Sequence, residues 1–254
     1  MAGGDAVDLT PMYMSLSKGQ SRAFFDAHPE YMRQEVAEAA RQDAIQAAHQ
    51  GHADITFLAA SAAATIYLNL GDRTHALINR LDALQALFML SEDEAAYDDV
   101  RKQALELHEL AREISSQHVT FRSLVLAADC SWFTTEAATA GQPGNPLEPR
   151  TVRTLEDVLM ALRAAGPVVD DPDDRIWIER LASILAVSAE AAMSETWNNV
   201  RSDADRLEQQ LDRLLRQVAV AADVLPVDLR FEGEGPGKTA AVAVELEELE
   251  SKYR

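Results

Sequence analysis

The sequence predicts an all-α protein, and three observations favour this class. Hydrophobic residues make up 47% of the chain but aromatic residues only 6%, so most apolar surface comes from alanine, leucine and valine. Alanine and leucine are strong helix formers, and glycine and proline are infrequent outside a few places. Apolar residues also recur at helical spacing over most of the 254 residues, a length that allows one large or two small domains.

The N-terminal third begins with helices of modest length. Residues 1–12 show no periodicity and are expected to be loose. A first helix is predicted from Leu16 to Ala27, where His28-Pro29 ends it. Residues 30–50 are rich in alanine and predict a second helix, with Gly51 as its stop.

The stretch 57–90, FLAASAAATIYLNLGDRTHALINRLDALQALFML, predicts a helical hairpin. One apolar stripe runs from Leu58 to Leu68, and a second runs from Ala76 to Phe88. Gly71-Asp72 interrupts the pattern between them. Two helices joined by a glycine-containing turn pack as an antiparallel pair.

This hairpin resembles a tetratricopeptide repeat. The family's tyrosine, turn glycine and two packing alanines correspond in spacing to Tyr67, Gly71, Ala76 and Ala83. The resemblance implies that Ala76 and Ala83 allow close contact between the two helices. Other family positions differ, since the usual tryptophan, leucine-glycine pair and second-helix aromatic are replaced by Ala60, Ala63-Ala64 and Arg80. One repeat therefore matches, and a general α-helical bundle remains an open alternative.

The resemblance also implies a function. Arrays of such repeats present a concave surface to peptides or protein elements. The expected role is a protein–protein interaction adaptor or regulatory scaffold in a bacterial cytoplasm. The first helix of the repeat supplies the binding surface in that family, which places Ser61, Thr65 and Asn69 on the partner-binding stripe. The same three positions could instead pack against a neighbouring helix pair.

Residues 92–140 predict two further helices that complete an array over about 13–140. Ser91 with Glu94 has the pattern of a capping box at the start of the first one. The segment GQPGNPLEPR, 141–150, contains two glycines and three prolines, and it predicts a linker between two domains.

A second helical part is predicted over 151–225. Helices are expected from Val152 to Ala165 and over about 173–193. A last long helix carries apolar residues at alternating spacings of three and four, from Trp197 to Leu225, which is the pattern of a coiled coil or a bundle helix. Its seam includes Trp197, Leu207, Leu211 and Leu214. A homodimer through this seam and packing within one chain are both open interpretations.

The last segment, 226–254, is acidic and alternates apolar with polar residues on both sides of GEGPGKT, which predicts a strand-like hairpin. Gly237-Lys238-Thr239 matches the end of a phosphate-binding loop. Glu232 stands where that loop needs its first glycine, and too few residues follow for the required domain. Nucleotide binding at Lys238 is therefore not expected.

One acidic cluster raises an enzymatic alternative. Asp170, Asp171 and Asp174 have the Asp-Asp-x-x-Asp spacing with which helical isoprenoid synthases bind magnesium and a diphosphate. Pro172 interrupts the motif, and the second metal motif is incomplete. The preferred interpretation is an acidic loop that caps the next helix without a metal. No other catalytic constellation is recognisable, so neither an enzyme nor a cofactor is expected.

The formal net charge of −19 restricts the partners. Phosphate backbones and anionic lipids repel such a chain, so nucleic acid and membranes are not expected partners and a basic protein is favoured. The single cysteine, Cys130, excludes a disulfide framework. A secretory signal and an apolar run of membrane-spanning length are not visible, and a cytoplasmic location is expected.

Overall fold

The computed structural model describes residues 7–139, 148–168, 171–185, 213–214, 216–218 and 220–221. The regular elements in these ranges are all helical, which confirms the all-α class for this part of the chain. They are α1 (Thr10–Ser17), α2 (Ser21–Ala27), α3 (Gln34–His49), α4 (Ala53–Asn69), α5 (Arg73–Leu90), α6 (Glu94–Glu113), α7 (Gln117–Thr139), α8 (Glu148–Ala165) and a helix over 175–185, here called α9. Single 3-10 turns lie at Pro29–Tyr31 and Pro172–Asp174.

The N-terminal segment differs from the prediction in two ways. A helix already begins at Thr10, because Pro11 in its first turn favours helix initiation and Met12 is fully buried. The single helix predicted from Leu16 to Ala27 is wrong, since α1 ends at Ser17 and α2 starts at Ser21. Gly19 lies between them with a φ of +70°, a backbone conformation that glycine adopts without strain.

The chain forms two compact units. Unit 1 comprises Met1–Ser91 and Glu109–Val119, and unit 2 comprises Glu92–His108 and Thr120–Arg254. The linker predicted at 141–150 falls mostly outside the described residues and stays a prediction. Helix α8 begins at Glu148, earlier than the predicted Val152.

In unit 1, helix α4 packs along both α3 and α5, whereas α3 and α5 touch each other only briefly. The predicted hairpin corresponds to α4 and α5, joined by a turn in which Gly71 has a φ of +81°. Alanines form much of the contact surface between these helices. Ala83 is buried with Ala59 and Ala60, and Ala76 is buried in a second cluster with Ile66 and Tyr67.

The start of α6 corrects the predicted cap. Ser91 does not cap this helix, because α6 begins at Glu94 and Ser91 lies before its N-cap position; the Ser91 hydroxyl donates to the Leu87 carbonyl of α5. Asp93 does so instead: its carboxylate accepts a hydrogen bond from the Ala96 backbone N–H at 2.8 Å. Aspartate is among the preferred N-cap residues because its carboxylate satisfies an N–H group of the first helical turn.

The core of unit 2 is built from larger side chains. Leucine, isoleucine, valine and phenylalanine side chains of α7, α8 and α9 pack together in this core. Phe121, Leu162 and Ile178 are among those that are fully buried. Leu214 and Val218 belong to the same core, so this part of the predicted seam is buried within its own chain. Trp197, Leu207 and Leu211 lie outside the described residues, and the homodimer stays a prediction.

Two reciprocal Arg–Asp pairs join α6 to α8. Arg101 of α6 donates to both carboxylate oxygens of Asp157 in α8, at 2.6 and 2.7 Å. In return Arg153 of α8 lies 3.0 Å from the carboxylate of Asp98 in α6. Asp98 precedes Arg101 in α6, and their partners Arg153 and Asp157 follow the same order in α8. The two helices therefore run parallel to each other.

The same device joins α7 to the segment 174–180. Arg122 binds Asp174, whose carboxylate is fully buried, and Arg180 donates to Asp129 at 2.7 Å. Arg122 precedes Asp129 in α7, and their partners Asp174 and Arg180 follow the same order, so the two segments run parallel. Each Asp of these two pairs is less exposed than the Arg that neutralises it, as charge burial requires.

Candidate functional site

A polar groove of about 460 Å³ lies in unit 1, between α3 and the turn that joins α4 to α5. We call it the Tyr67 groove. Its polar lining consists of Gln34, Glu35, Glu38, Arg41 and Gln42 from α3, and Tyr67, Asp72 and His75 from the end of α4 and the start of α5.

Helical periodicity places the α3 side chains in the groove. Val36, Ala37 and Ala40 are fully buried, so the intervening positions face outward. Glu35 and Glu38 therefore lie one turn apart on the exposed side of this helix, and Arg41 follows a further turn along. The groove obtains most of its charge from this one helix face.

Tyr67 is the least exposed polar residue of the groove. Only 4% of the residue is exposed, and its ring stacks on that of His75 at a centroid distance of 5.1 Å and an angle of 27°. Its hydroxyl forms no hydrogen bond with any described residue. Because the side chain lines the groove, the phenol oxygen is available to a ligand there.

Asp72 is held by the helix that it starts. Its carboxylate accepts hydrogen bonds from the backbone N–H of His75 at 3.1 Å and lies 2.7 Å from the His75 Nδ1 atom. The backbone hydrogen bond is the main reason that the pKa of Asp72 is lowered from its usual value. This carboxylate is consequently anionic at neutral pH.

The charges of the groove do not cancel. Three carboxylates, those of Glu35, Glu38 and Asp72, face one guanidinium, that of Arg41. Glu38 accepts a hydrogen bond from Gln34 at 2.7 Å, whereas Glu35 and Arg41 form no ion pair with any described residue. The carboxylates outnumber the guanidinium, so the groove carries an excess of negative charge.

Tyr67 responds to this environment. Burial is the largest cause that raises its pKa, and the charges of Glu38 and Asp72 raise it further, against the opposing effect of Arg41. The phenol is therefore neutral over the physiological range, and its oxygen can accept a hydrogen bond from a cationic N–H group. The arrangement suits a ligand with a positive charge.

The predicted partner-binding stripe lies elsewhere on α4. Ser61, Thr65 and Asn69 are not among the groove's lining residues. The Thr65 hydroxyl donates to the Ser61 carbonyl, and the Asn69 side-chain amide donates to the Thr65 carbonyl. These side chains hydrogen-bond to their own helix, and their role in binding stays a prediction.

The aspartates of the predicted magnesium motif serve the local structure. Asp171 accepts a hydrogen bond from the Asp173 backbone N–H at 2.8 Å and caps the 3-10 turn. Asp174 is fully buried against Arg122. Asp170 lies outside the described residues. The isoprenoid-synthase alternative stays a prediction.

A second polar cluster lies inside unit 2. The hydroxyl of Ser131 donates to Asp157 at 2.5 Å, beside the Arg101 pair. Neighbouring Cys130 is completely buried, and burial is the main reason that the pKa of its thiol is raised. The donors and acceptors around Asp157 satisfy one another, so this cluster holds the helices together.

Comparison with known proteins gives no relative: no protein-family model, curated protein or solved structure matches the chain. The tetratricopeptide resemblance accordingly stays a prediction. Among the helices described, none combines the length and the apolar character needed to span a bilayer.

Proposed function

We propose that the chain is a protein-interaction module, an adaptor or regulatory scaffold, that binds a basic segment of a partner protein in the Tyr67 groove. The observation that supports this most directly is Tyr67 itself. Most of this side chain is buried, and its hydroxyl has no partner among the described residues, so the hydroxyl can form a hydrogen bond with a ligand in the groove that it lines.

Charge supports a cationic partner. The groove has three carboxylates against one guanidinium, and the whole chain has a net charge of −19. The groove attracts a cation at short range, and the whole chain increases the rate of encounter with a basic protein. The volume is also within the usual range of ligand-binding pockets.

A calorimetric titration of the full chain tests this proposal. The probe is the capped pentapeptide Gly-Arg-Gly-Arg-Gly, and the same peptide with glutamine in place of arginine is its neutral control. The arginine peptide should bind at least about tenfold more tightly, since two charges are removed in the control. Equal binding of the two peptides would reject the proposal.

Two variants then locate the binding. Glu38→Gln removes a groove carboxylate and should weaken binding about threefold to tenfold. Glu156→Gln removes the same charge from an exposed position on α8, outside the groove, and should leave the affinity nearly unchanged. If both variants weaken binding equally, general attraction to an acidic chain is responsible and the groove is not the site.

A third variant should strengthen binding. Arg41→Gln removes the one guanidinium of the groove lining, so a basic peptide should bind about threefold more tightly. A variant that damages the fold cannot produce this gain. Unchanged or weaker binding of the arginine peptide would show that Arg41 does not face the bound cation.

A further inference from the structure

The Tyr67 groove presents flat groups to its ligand. The rings of Tyr67 and His75 stack with 27° between their planes. The side chain of His75 is 47% exposed, so part of its ring remains open to the groove that it lines. The carboxylates of Glu38 and Asp72 are also planar, and both lie along the same groove.

We propose that the cationic group read by this groove is the guanidinium of an arginine, and that lysine is discriminated against. This inference rests on the proposed function, since it names the chemical group that the same groove selects. A guanidinium is planar, stacks on aromatic rings and presents five N–H donors in a rigid fork. An ammonium is a compact point charge without a flat face.

The hydrogen-bond acceptors of the groove suit the several N–H donors of a guanidinium better than the compact charge of an ammonium. Tyr67 offers a phenol oxygen with no described partner, and Glu38 shares its carboxylate only with the amide of Gln34. Asp72 already binds the backbone and ring of His75, which leaves it fewer free lone pairs. Acceptors from two different helices must therefore be reached at once, which a guanidinium with donors on both edges does.

Hydration favours arginine as well. A cation that binds the Tyr67 hydroxyl lies against a residue that is only 4% exposed. It gives up part of its own water on binding. The guanidinium is more weakly hydrated than the ammonium, so it loses less on entering.

Arg41 weakens the attraction of the groove for a cation. It lines the groove without an ion pair to any described residue, and it repels any cation that enters. This repulsion acts on both cations, so it lowers the affinity for lysine and arginine alike. Selectivity then depends on the hydrogen bonds and stacking that only the guanidinium forms.

The test compares two capped peptides, Gly-Arg-Gly-Arg-Gly and Gly-Lys-Gly-Lys-Gly, which carry the same charge. Titrated into the full chain, the arginine peptide should bind about tenfold more tightly. Tyr67→Phe keeps the ring but removes the hydroxyl, and should reduce this ratio to about threefold or less. Tyr31→Phe is the control, because its hydroxyl donates to the Asp8 carbonyl outside the groove, and should keep the ratio unchanged.

The outcomes separate the two proposals. Equal binding of both peptides, each weakened by Glu38→Gln, would overturn arginine selectivity and leave the basic-segment site intact. Binding of neither peptide would reject the site itself. A preference for arginine that survives Tyr67→Phe in full would also overturn the inference, because the Tyr67 hydroxyl would then take no part in the selection.

Discussion

The interiors of the two units are held together by different physical means. In unit 1, small side chains such as Ala59, Ala60 and Ala83 let the helices approach closely, and the ion pair between Arg73 and Glu113 is exposed. In unit 2, the core is larger and Arg–Asp ion pairs join the helices. The carboxylates of Asp157 and Asp174 in these pairs are fully buried. Helix packing in unit 1 depends on small side chains, whereas unit 2 also depends on buried Arg–Asp pairs.

This difference predicts opposite sensitivities. An interface of alanines has little room, so replacing an alanine methyl by the isobutyl group of leucine forces the helices apart. A buried ion pair adds little net stability compared with an apolar pair, but removing one partner leaves a charge without solvent or counter-charge. Unit 1 should tolerate loss of its exposed charges but not added volume between α4 and α5, whereas unit 2 should be sensitive to loss of a buried charge.

The largest effect is expected from Asp157→Asn in unit 2. The side chain is fully buried and accepts hydrogen bonds from Arg101 and Ser131, so loss of its charge should cost about 3 kcal/mol. Urea unfolding followed by tryptophan fluorescence measures it, because Trp132 and Trp177 pack against the core of unit 2. Glu156→Gln, at the exposed neighbouring position, is the control. A loss below about 1 kcal/mol would contradict the role given to the pair.

Next in size is Ala83→Leu in unit 1. The added volume has no space between α4 and α5 and should cost about 1–3 kcal/mol, as should Ala76→Leu for the same reason. Thermal unfolding by circular dichroism measures the change. Ala48→Leu, at an exposed position of α3, should leave the transition almost unchanged. Equal melting of all these variants and the parent would show that the interface is not closely packed.

A smaller effect is expected from Asp72→Ala, which removes the N-cap of α5 and should cost about 1 kcal/mol at pH 7. The folded-state pKa of Asp72 is lowered, so its contribution is present above the unfolded pKa and is lost as pH falls through the folded value. The difference between parent and variant should therefore shrink below about pH 4. Asp72→Asn retains the cap without a titrating group, and its stability relative to Asp72→Ala should not change with pH.

The smallest effect is expected from Glu113→Gln. Its ion pair with Arg73 is 3.1 Å long, but the two side chains are 62% and 53% exposed. Exposed pairs contribute about 0.2–1 kcal/mol, and salt screens them. Urea unfolding at low and high salt should show a minor loss that disappears at high salt. A loss as large as that of Asp157→Asn would remove the contrast between the units.

Local patterns predicted much of the fold. Apolar stripes and Gly71 identified the hairpin of α4 and α5, because a helix start, a helix stop and a turn are encoded by adjacent residues. The single helix over Leu16–Ala27 and the cap at Ser91 were wrong for local reasons: a turn at Gly19 divides the helix, and α6 starts later, with Asp93 as its cap. The Arg–Asp pairs could not be predicted, since the partners are 51–56 residues apart.

The groove was missed for a similar reason. Tyr67, Asp72 and His75 were visible as part of the hairpin, and the polar face of α3 was visible as Glu35, Glu38 and Arg41. Only tertiary packing brings these two sets together. The sequence did contain a signal for the α3 side of the groove. Glu35, Glu38 and Arg41 recur at helical spacing, which gives a charged stripe beside the buried one.

The buried thiol in unit 2 provides a built-in probe of motion. Cys130 is the chain's one cysteine, it is completely buried, and burial raises the pKa of its thiol. An alkylating reagent reacts with a thiolate that it can reach, so modification in the native protein must wait for the helices around Cys130 to separate. The labelling rate therefore reports how often unit 2 opens under native conditions, without denaturant and without any introduced label site.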